Sequence, residues 1–147
     1  MHPVVAQQPN LELNKVSYHK VFNYSYEAVW RAAQLTLKYP IAVNNIDNGV
    51  LETEWIRSSD GFIAPGATKE PSAGSKYIIT LNMVKGKLEN KPSVRVTITK
   101  KIESQKDFFS DVEQKGSDGL EEKVIFYRIE REILIDEGLK KASALNQ

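Results

Sequence analysis

The sequence contains no cysteine. That removes a disulfide scaffold, a thiolate nucleophile and a thiolate metal site together, although cysteine-free domains occur on both sides of a membrane and the compartment stays open. Histidine is nearly as scarce, with only His2 and His19 present. Neither has a second nitrogen ligand or a carboxylate at a spacing such as H-x-x-x-H, so no metal site and no cofactor is expected. There is no G-x-S-x-G elbow to activate a serine, and His19 reads as a strand-surface residue. No apolar run approaches the ~20 residues that cross a bilayer, and no charged segment leads into an apolar one at the start. The chain as given is therefore expected neither to span a membrane nor to carry its own secretion signal. A strong charge of one sign is missing too: the formal net charge is +1, which argues against a dedicated nucleic-acid protein.

What the chain does have is ordinary for a folded domain. Its 147 residues, 41% hydrophobic and 27% charged, suit one unit that buries roughly 70% of the surface its unfolded state exposes. "MHPVVAQQPN" is a polar, proline-containing lead-in, so residues 1–10 are expected to be a flexible tether and 11–147 a single domain. Its unusual start is also what a chain shortened by removal of a targeting segment would show. Charge is unevenly spread. Lys85 to Lys106 holds seven basic residues against two glutamates, whereas Asp107 to Glu137 holds four against ten acidic ones. Such segments are expected to be solvated surfaces that face one another.

Periodicity supplies the elements. "LELNKVSYHKVFNY" is strand-like, with Val16, Tyr18, Lys20 and Phe22 on one side of a two-residue period. Ser25 offers an N-cap hydroxyl, Glu27 a first-turn carboxylate, and Tyr26, Val29, Trp30, Ala33 and Leu37 follow at helical spacing until Pro40 stops the helix. Ile41, Val43 and Ile46 read as a strand, "DNG" at 47–49 as a hairpin turn in which Asn48 and Gly49 tolerate positive φ, and "VLETEW" as the return strand. The Gly/Pro-rich stretch 57–75 reads as a long loop. Alternation at Tyr77, Ile79, Leu81 and Met83, a turn in "KGKLENKP", and alternation at Val94, Val96 and Ile98 predict a further strand pair. A polar stretch follows at 104–119, with Phe108 and Phe109 its only bulky apolar residues. Asp118 and Glu121 form a D-x-x-E capping box ahead of a final helix. Leu120, Val124, Tyr127 and Leu134 make one apolar stripe on it, and Ile125, Phe126, Ile129 and Ile133 another, so this helix is expected to be largely enclosed. The prediction is an α+β domain in the order β-α-β-β-β-β-α, with an antiparallel sheet packed around a long C-terminal helix.

Few constellations suggest chemistry. Glu52 and Glu54 share a strand face at about 7 Å, but Leu51, Thr53 and Trp55 on the other face make the pattern that of a half-buried strand with its glutamates in water. "PGATKEPSAGSK" is no phosphate loop, because its lysine follows the serine and it leads into a strand. No catalytic residue is assigned, and the chain is expected not to be an enzyme. Partner contacts are expected instead at Phe62 and Ile63, an apolar pair within the Gly/Pro loop that either folds back on the core or forms an inserting tip. They are also expected at Lys85, Lys87 and Lys91 of a basic hairpin that includes Arg95, Lys100 and Lys101 and could meet an anionic surface weakly. Interleaved aromatics for base stacking are missing there, so no nucleic-acid partner is expected.

"YSYEAVWRAAQLTLKYPIAVNNIDNGVLETEWI" resembles the repeated domains of the BamC (NlpB/DapX) outer-membrane lipoprotein family. Tyr26 and Val29-Trp30 open the helix, Pro40-Ile41 start the strand, and Gly49, Leu51, Thr53 and Trp55 follow in the next. The likeness covers roughly 15–57 and extends over the rest by element order. It implies a helix-grip (TBP-like) domain, exported to the periplasm, tethered to the outer membrane and acting as a non-catalytic accessory to envelope protein assembly, with other envelope proteins as partners. With no cysteine here, a lipid anchor would have to come from a segment outside this chain. That family has two such domains where this chain has one. The alternative expectation, from the same fold, is a binder of a small apolar ligand held between sheet and final helix.

Overall fold

The computed structural model of the protein describes residues 16–63, 74–105 and 107–146. The expected tether, the first part of the expected opening strand and the middle of the 57–75 loop lie outside the described residues. The elements are β1 (Ser17–Phe22), α1 (Tyr26–Thr36), β2 (Ile41–Asn45), β3 (Val50–Thr53), β4 (Ile56–Arg57), β5 (Ser75–Leu88), β6 (Lys91–Ser104), β7 (Glu113–Lys115) and α2 (Leu120–Leu145). All strands join one antiparallel sheet in the order β1-β6-β5-β3-β2, with β4 also on β5 and β7 also on β6. The expected α+β class and the long final helix are both present, and two short strands, β4 and β7, were not foreseen.

The β5–β6 hairpin is the spine. Its ladder runs unbroken from Ser75 opposite Ser104 to Leu88 opposite Lys91, about 45 Å at roughly 3.3 Å per residue. Glu89 and Asn90 close it with φ of 52° and 63°, the left-handed pair that matches strand twist in a two-residue turn. The alternation read in the sequence sets the core: Tyr77, Ile79, Leu81, Met83, Val94, Val96 and Ile98 all face the helices and are buried. The α1 stripe holds as well. Ser25 Oγ accepts from the Ala28 amide at 3.2 Å, and Tyr26, Val29, Trp30, Ala33 and Leu37 are buried. At the β2–β3 turn only Gly49 takes the left-handed conformation, with φ of 71°; a Cβ there would lie 2.2 Å from the Met83 carbonyl oxygen. Tyr26 pins the same turn by donating its hydroxyl to the Ile46 carbonyl at 2.6 Å.

Three expectations are corrected. Trp55 does not face inward: it is 41% exposed, and Ile56 is buried in its place. The cause is a bulge. Leu51 pairs with Leu81, but Ile56 pairs with Tyr77, so one extra residue between β3 and β4 reverses the faces. At the break the Thr53 hydroxyl, instead of a ladder carbonyl, accepts from the Ile79 amide at 3.1 Å.

Nor is α2 enclosed. Ile125, Phe126, Ile129 and Ile133 are buried against the sheet and α1, whereas Leu120, Tyr127 and Leu134 are exposed. One stripe suffices because only one layer covers the helix, and every described residue from Glu137 onward is exposed. Finally, there is no capping box. Gly119 occupies the N-cap with φ of 80°, where a Cβ would strike the Tyr18 ring at 2.6 Å. Asp118 caps locally, its Oδ1 accepting from the Leu120 amide at 3.0 Å, and Glu121 turns inward.

Candidate functional site

That inward turn creates the most unusual chemistry among the described residues. Along β6 the helix-facing series Val94, Val96, Ile98 continues to Lys100, a lysine at a core position. On α2 the buried stripe of Ile125 and Phe126 extends one turn back to Glu121 and Glu122, which occupy core positions in turn. Lys100 Nζ lies 2.9 Å from Glu121 Oε1 and 3.7 Å from Glu122 Oε1, with side-chain exposures of 9%, 5% and 0%. Two buried carboxylates facing one ammonium would be a costly arrangement by themselves. Three further groups offset it. The Tyr39 hydroxyl donates to Glu121 Oε2 at 2.5 Å, and the Ser117 hydroxyl donates to Glu122 Oε2 at 2.5 Å. Both glutamates also stand in the first turn of a 26-residue helix, where the amide end of the helix dipole favours negative charge. Lys100 in turn sits 4.6 Å from the centre of the Tyr77 ring.

The tyrosines define what this cluster can do. Burial, reinforced by the hydrogen bond to Glu121, raises the Tyr39 phenol well above the ordinary tyrosine range. Burial pushes Tyr77 up to about 12, although its hydrogen bonds to Tyr39 and to the Phe62 amide act in the opposite sense. Both phenols are therefore protonated at neutral pH and act as hydrogen-bond donors, not as bases. Tyr39 and Tyr77 hydroxyls lie 3.3 Å apart, and their rings meet edge to face. Over Tyr77 and Lys100 opens a cleft of about 340 Å³, walled by Phe62, Ile102, Ser58 and Ser117. Its mixed lining, an ion-paired lysine in the floor with serine hydroxyls, the Asp118 side chain and two apolar walls, suits a small polar molecule with one apolar edge. Among the described residues no group of three or more carboxylate or imidazole side chains is arranged to hold a metal ion.

The five partner contacts expected from sequence fall into two groups that the fold separates. Phe62 folds against the body: its amide donates to the Tyr77 hydroxyl at 3.1 Å and its side chain walls the cleft, while Ile63 is 42% exposed. Lys85, Lys87 and Lys91 lie at the far end of the β5–β6 ladder, exposed around the hairpin tip. Lys85 stands over the Tyr26 ring at 4.7 Å. The expected basic patch thus loses Lys100, which belongs to the core at the opposite end. Lys101 also lies apart from it, beside Lys76 around the outward-turned Trp55 ring. Of the carboxylate pair, Glu52 accepts from the Thr80 hydroxyl at 2.7 Å on the open sheet face, and Glu54 lies past the end of β3. His19 is exposed on β1 opposite Thr97.

Sequence reasoning misses the Lys100–Glu121–Glu122 cluster because it counts Lys100 in a surface patch and Glu121 in a helix cap, and gives Glu122 no role. The signal was present, since Lys100 has the same parity as Ile98, and Glu121 and Glu122 precede Ile125 and Phe126 by four residues. A second feature, Phe108 and Phe109, is 89% and 94% exposed. Their rings meet edge to face at 5.5 Å, on a turn closed by Asp107 Oδ1, which accepts from the Phe109 amide at 2.9 Å.

A scan against protein-family models matches no family, and a search of curated proteins finds no match. At the level the fold supports, the chain is an α+β domain with a seven-stranded antiparallel sheet and a long C-terminal helix. No described helix is long and apolar enough to cross a membrane.

Proposed function

We propose that this chain is a non-catalytic protein-interaction domain with a helix-grip arrangement, serving envelope assembly on the periplasmic side of the outer membrane. On this reading its membrane attachment comes through a lipid anchor outside the chain, and its partners are other envelope proteins. The observation that carries the interaction role is the exposed end of α2. Ile135 and Leu139 are 45% and 65% exposed there, with Leu35 of α1 at 57%, and all three line a shallow groove of about 160 Å³ between the two helices. Contiguous apolar side chains on a rigid helix that extends past the core are what a partner can cover. The element order, the long final helix and the sequence likeness at 15–57 support the helix-grip and envelope parts of the reading. The test is capture of partners from a bacterial envelope extract by the wild-type chain and by an Ile135→Ser/Leu139→Ser variant. Loss of the captured proteins with an unchanged melting temperature supports the reading; equal capture by both forms overturns it.

One observation favours a second reading, that of a small-ligand binder: the cleft over Tyr77 and Lys100. Its lining directs attention away from an apolar ligand between sheet and helix, since that space is filled by Ile125, Phe126, Ile129 and Ile133. A thermal-shift screen of small polar and amphipathic compounds, repeated on Phe62→Ser, separates the readings: stabilisation lost in the variant would favour the ligand.

A further inference from the structure

The two ends of the β5–β6 ladder carry opposite chemistry. At one end, beyond Ser104, stand Phe108 and Phe109. The segment Asp107 to Glu113 around them has three carboxylates and no basic residue. Almost complete exposure of two adjacent phenylalanines is costly in water, and the turn that presents them is closed rather than loose. Besides the Asp107–Phe109 bond, the Ser110 amide donates to the Asp107 carbonyl at 3.2 Å, and the Ser110 hydroxyl to Asp107 Oδ1 at 3.0 Å. At the other end, on the helix side of the hairpin tip, is a cleft of about 310 Å³ floored by Tyr26, Gly86 and Pro92 and rimmed by Lys85 and Lys87. A cavity of ~150 Å³ accommodates a benzene ring, so the cleft has room for the paired rings. The lining carries two lysines against Glu27, so its charge is opposite in sign to that of the tip.

Tip and cleft cannot meet within one molecule, because the hairpin between Ser93 and Ser104, roughly 36 Å at ~3.3 Å per residue, holds them apart. We propose that the Phe108–Phe109 tip of one copy docks into the Tyr26–Lys85–Lys87 cleft of a second copy, so that the chain associates head to tail along its β5–β6 axis. A protein cleft with a basic rim is favoured over a lipid surface, since three carboxylates beside the tip oppose approach to anionic lipid. The contact is heterologous: a docked pair still has one free tip and one free cleft, so copies lined up along the axis keep adding and the array is open-ended. Its core is two aromatic side chains, so the contact belongs to the small, weak class under ~1,200 Å². It matters where copies are concentrated.

Two variants test this. Phe108→Ser/Phe109→Ser removes the tip and leaves the cleft; Lys85→Glu/Lys87→Glu reverses the rim and leaves the tip. Both changes are at exposed positions, and circular dichroism checks that each variant is folded. Sedimentation velocity of the wild-type chain up to about 1 mM, in low salt, is expected to show a continuous rise in average mass that 0.5 M salt reduces. Each variant alone is expected to stay monomeric, and an equimolar mixture of the two to form a 1:1 complex and nothing larger, because only one tip and one cleft remain. A monomeric wild type, a mixture that stays monomeric, or association indifferent to loss of the tip overturns the proposal. A wild type that stays monomeric but sediments with phosphatidylcholine vesicles in a tip-dependent way also overturns it, and assigns the tip to a bilayer.

Discussion

Replacing Lys100 by methionine isolates the buried cluster. Methionine keeps most of the aliphatic stem in place, so the change removes a charge and creates little cavity. Glu121 and Glu122, with side chains 5% and 0% exposed, are then left facing no cation. Removing one partner of a buried ion pair costs about 3–5 kcal/mol, and the upper part of that range applies here because two carboxylates share the lysine. At ~2–4 °C per kcal/mol for a domain of this size, the melting temperature should fall by roughly 8–20 °C. Adding Glu121→Gln and Glu122→Gln removes the stranded charges and preserves acceptors for the Tyr39 and Ser117 hydroxyls, so the triple variant should regain more than half of the loss. Urea unfolding followed by circular dichroism gives both values at one temperature. A single variant within about 1 kcal/mol of wild type, below the cost of a stranded buried charge, or a triple variant no more stable than the single, would refute the description of the cluster as a mutually dependent unit.

Four other outcomes follow from local geometry. Because the folded Tyr77 phenol is pushed up to about 12 from its ordinary 10.0, its contribution to stability is fully present below pH 10 and is lost as pH rises toward 12; Tyr77→Phe should make urea midpoints fall less steeply over that interval, with the raised Tyr39 phenol supplying slope that remains. Gly49→Ala, with φ of 71° and a Cβ 2.2 Å from the Met83 carbonyl oxygen, should destabilise by more than ~1 kcal/mol. Gly138→Ala, which meets nothing within 4 Å, should instead stabilise α2 by ~0.5–1 kcal/mol, read from the same urea curves. The two apolar stripes of α2 should also separate: Ile129→Ala should cost ~2–5 kcal/mol, and Leu134→Ala no more than ~0.5.

Much of the fold was legible because period-2 and period-3.6 signals survive wherever one face of an element is buried and the other is wet. Tyr77 to Met83, Val94 to Ile98 and the α1 stripe are such stretches, and each lies where its spacing predicts. The misreadings share a cause: they fall where an element departs from its own period. At Trp55 a one-residue bulge reverses the faces, and a bulge leaves no composition signal in "LETEWIR". On α2 the helical wheel shows two apolar stripes, but which of them is covered depends on how many layers surround the helix, a property of the assembled sheet. At Lys100 parity was informative, and the charge of the residue concealed it. The site was less legible than the fold. A lysine, two glutamates and two tyrosines drawn from four separate segments have no local spacing, and only the pairing of β5 with β6 and the docking of α2 bring them together.

The position of that cluster bears on why a polar core is retained at all. The buried stripe of α2 is built from isoleucines and a phenylalanine lying on a surface of valine, isoleucine and leucine, and aliphatic surfaces of that kind repack with small penalties. Such a contact holds the helix down without specifying one position along the sheet. Lys100 and Tyr39 do specify it: a shift of one helical turn would carry Glu121 and Glu122 about 5.4 Å from these partners and strand charges in the core. Setting register is a better-attested use of a buried ion pair than stability. Fixing α2 at its first turn also fixes its far end, since about 39 Å of helix at ~1.5 Å per residue connects the two. The cluster thus sets both the cleft over Tyr77 and the position of Ile135 and Leu139 beside Leu35 of α1. A change at Lys100 should be felt at the far end of the helix even though no residue there touches it.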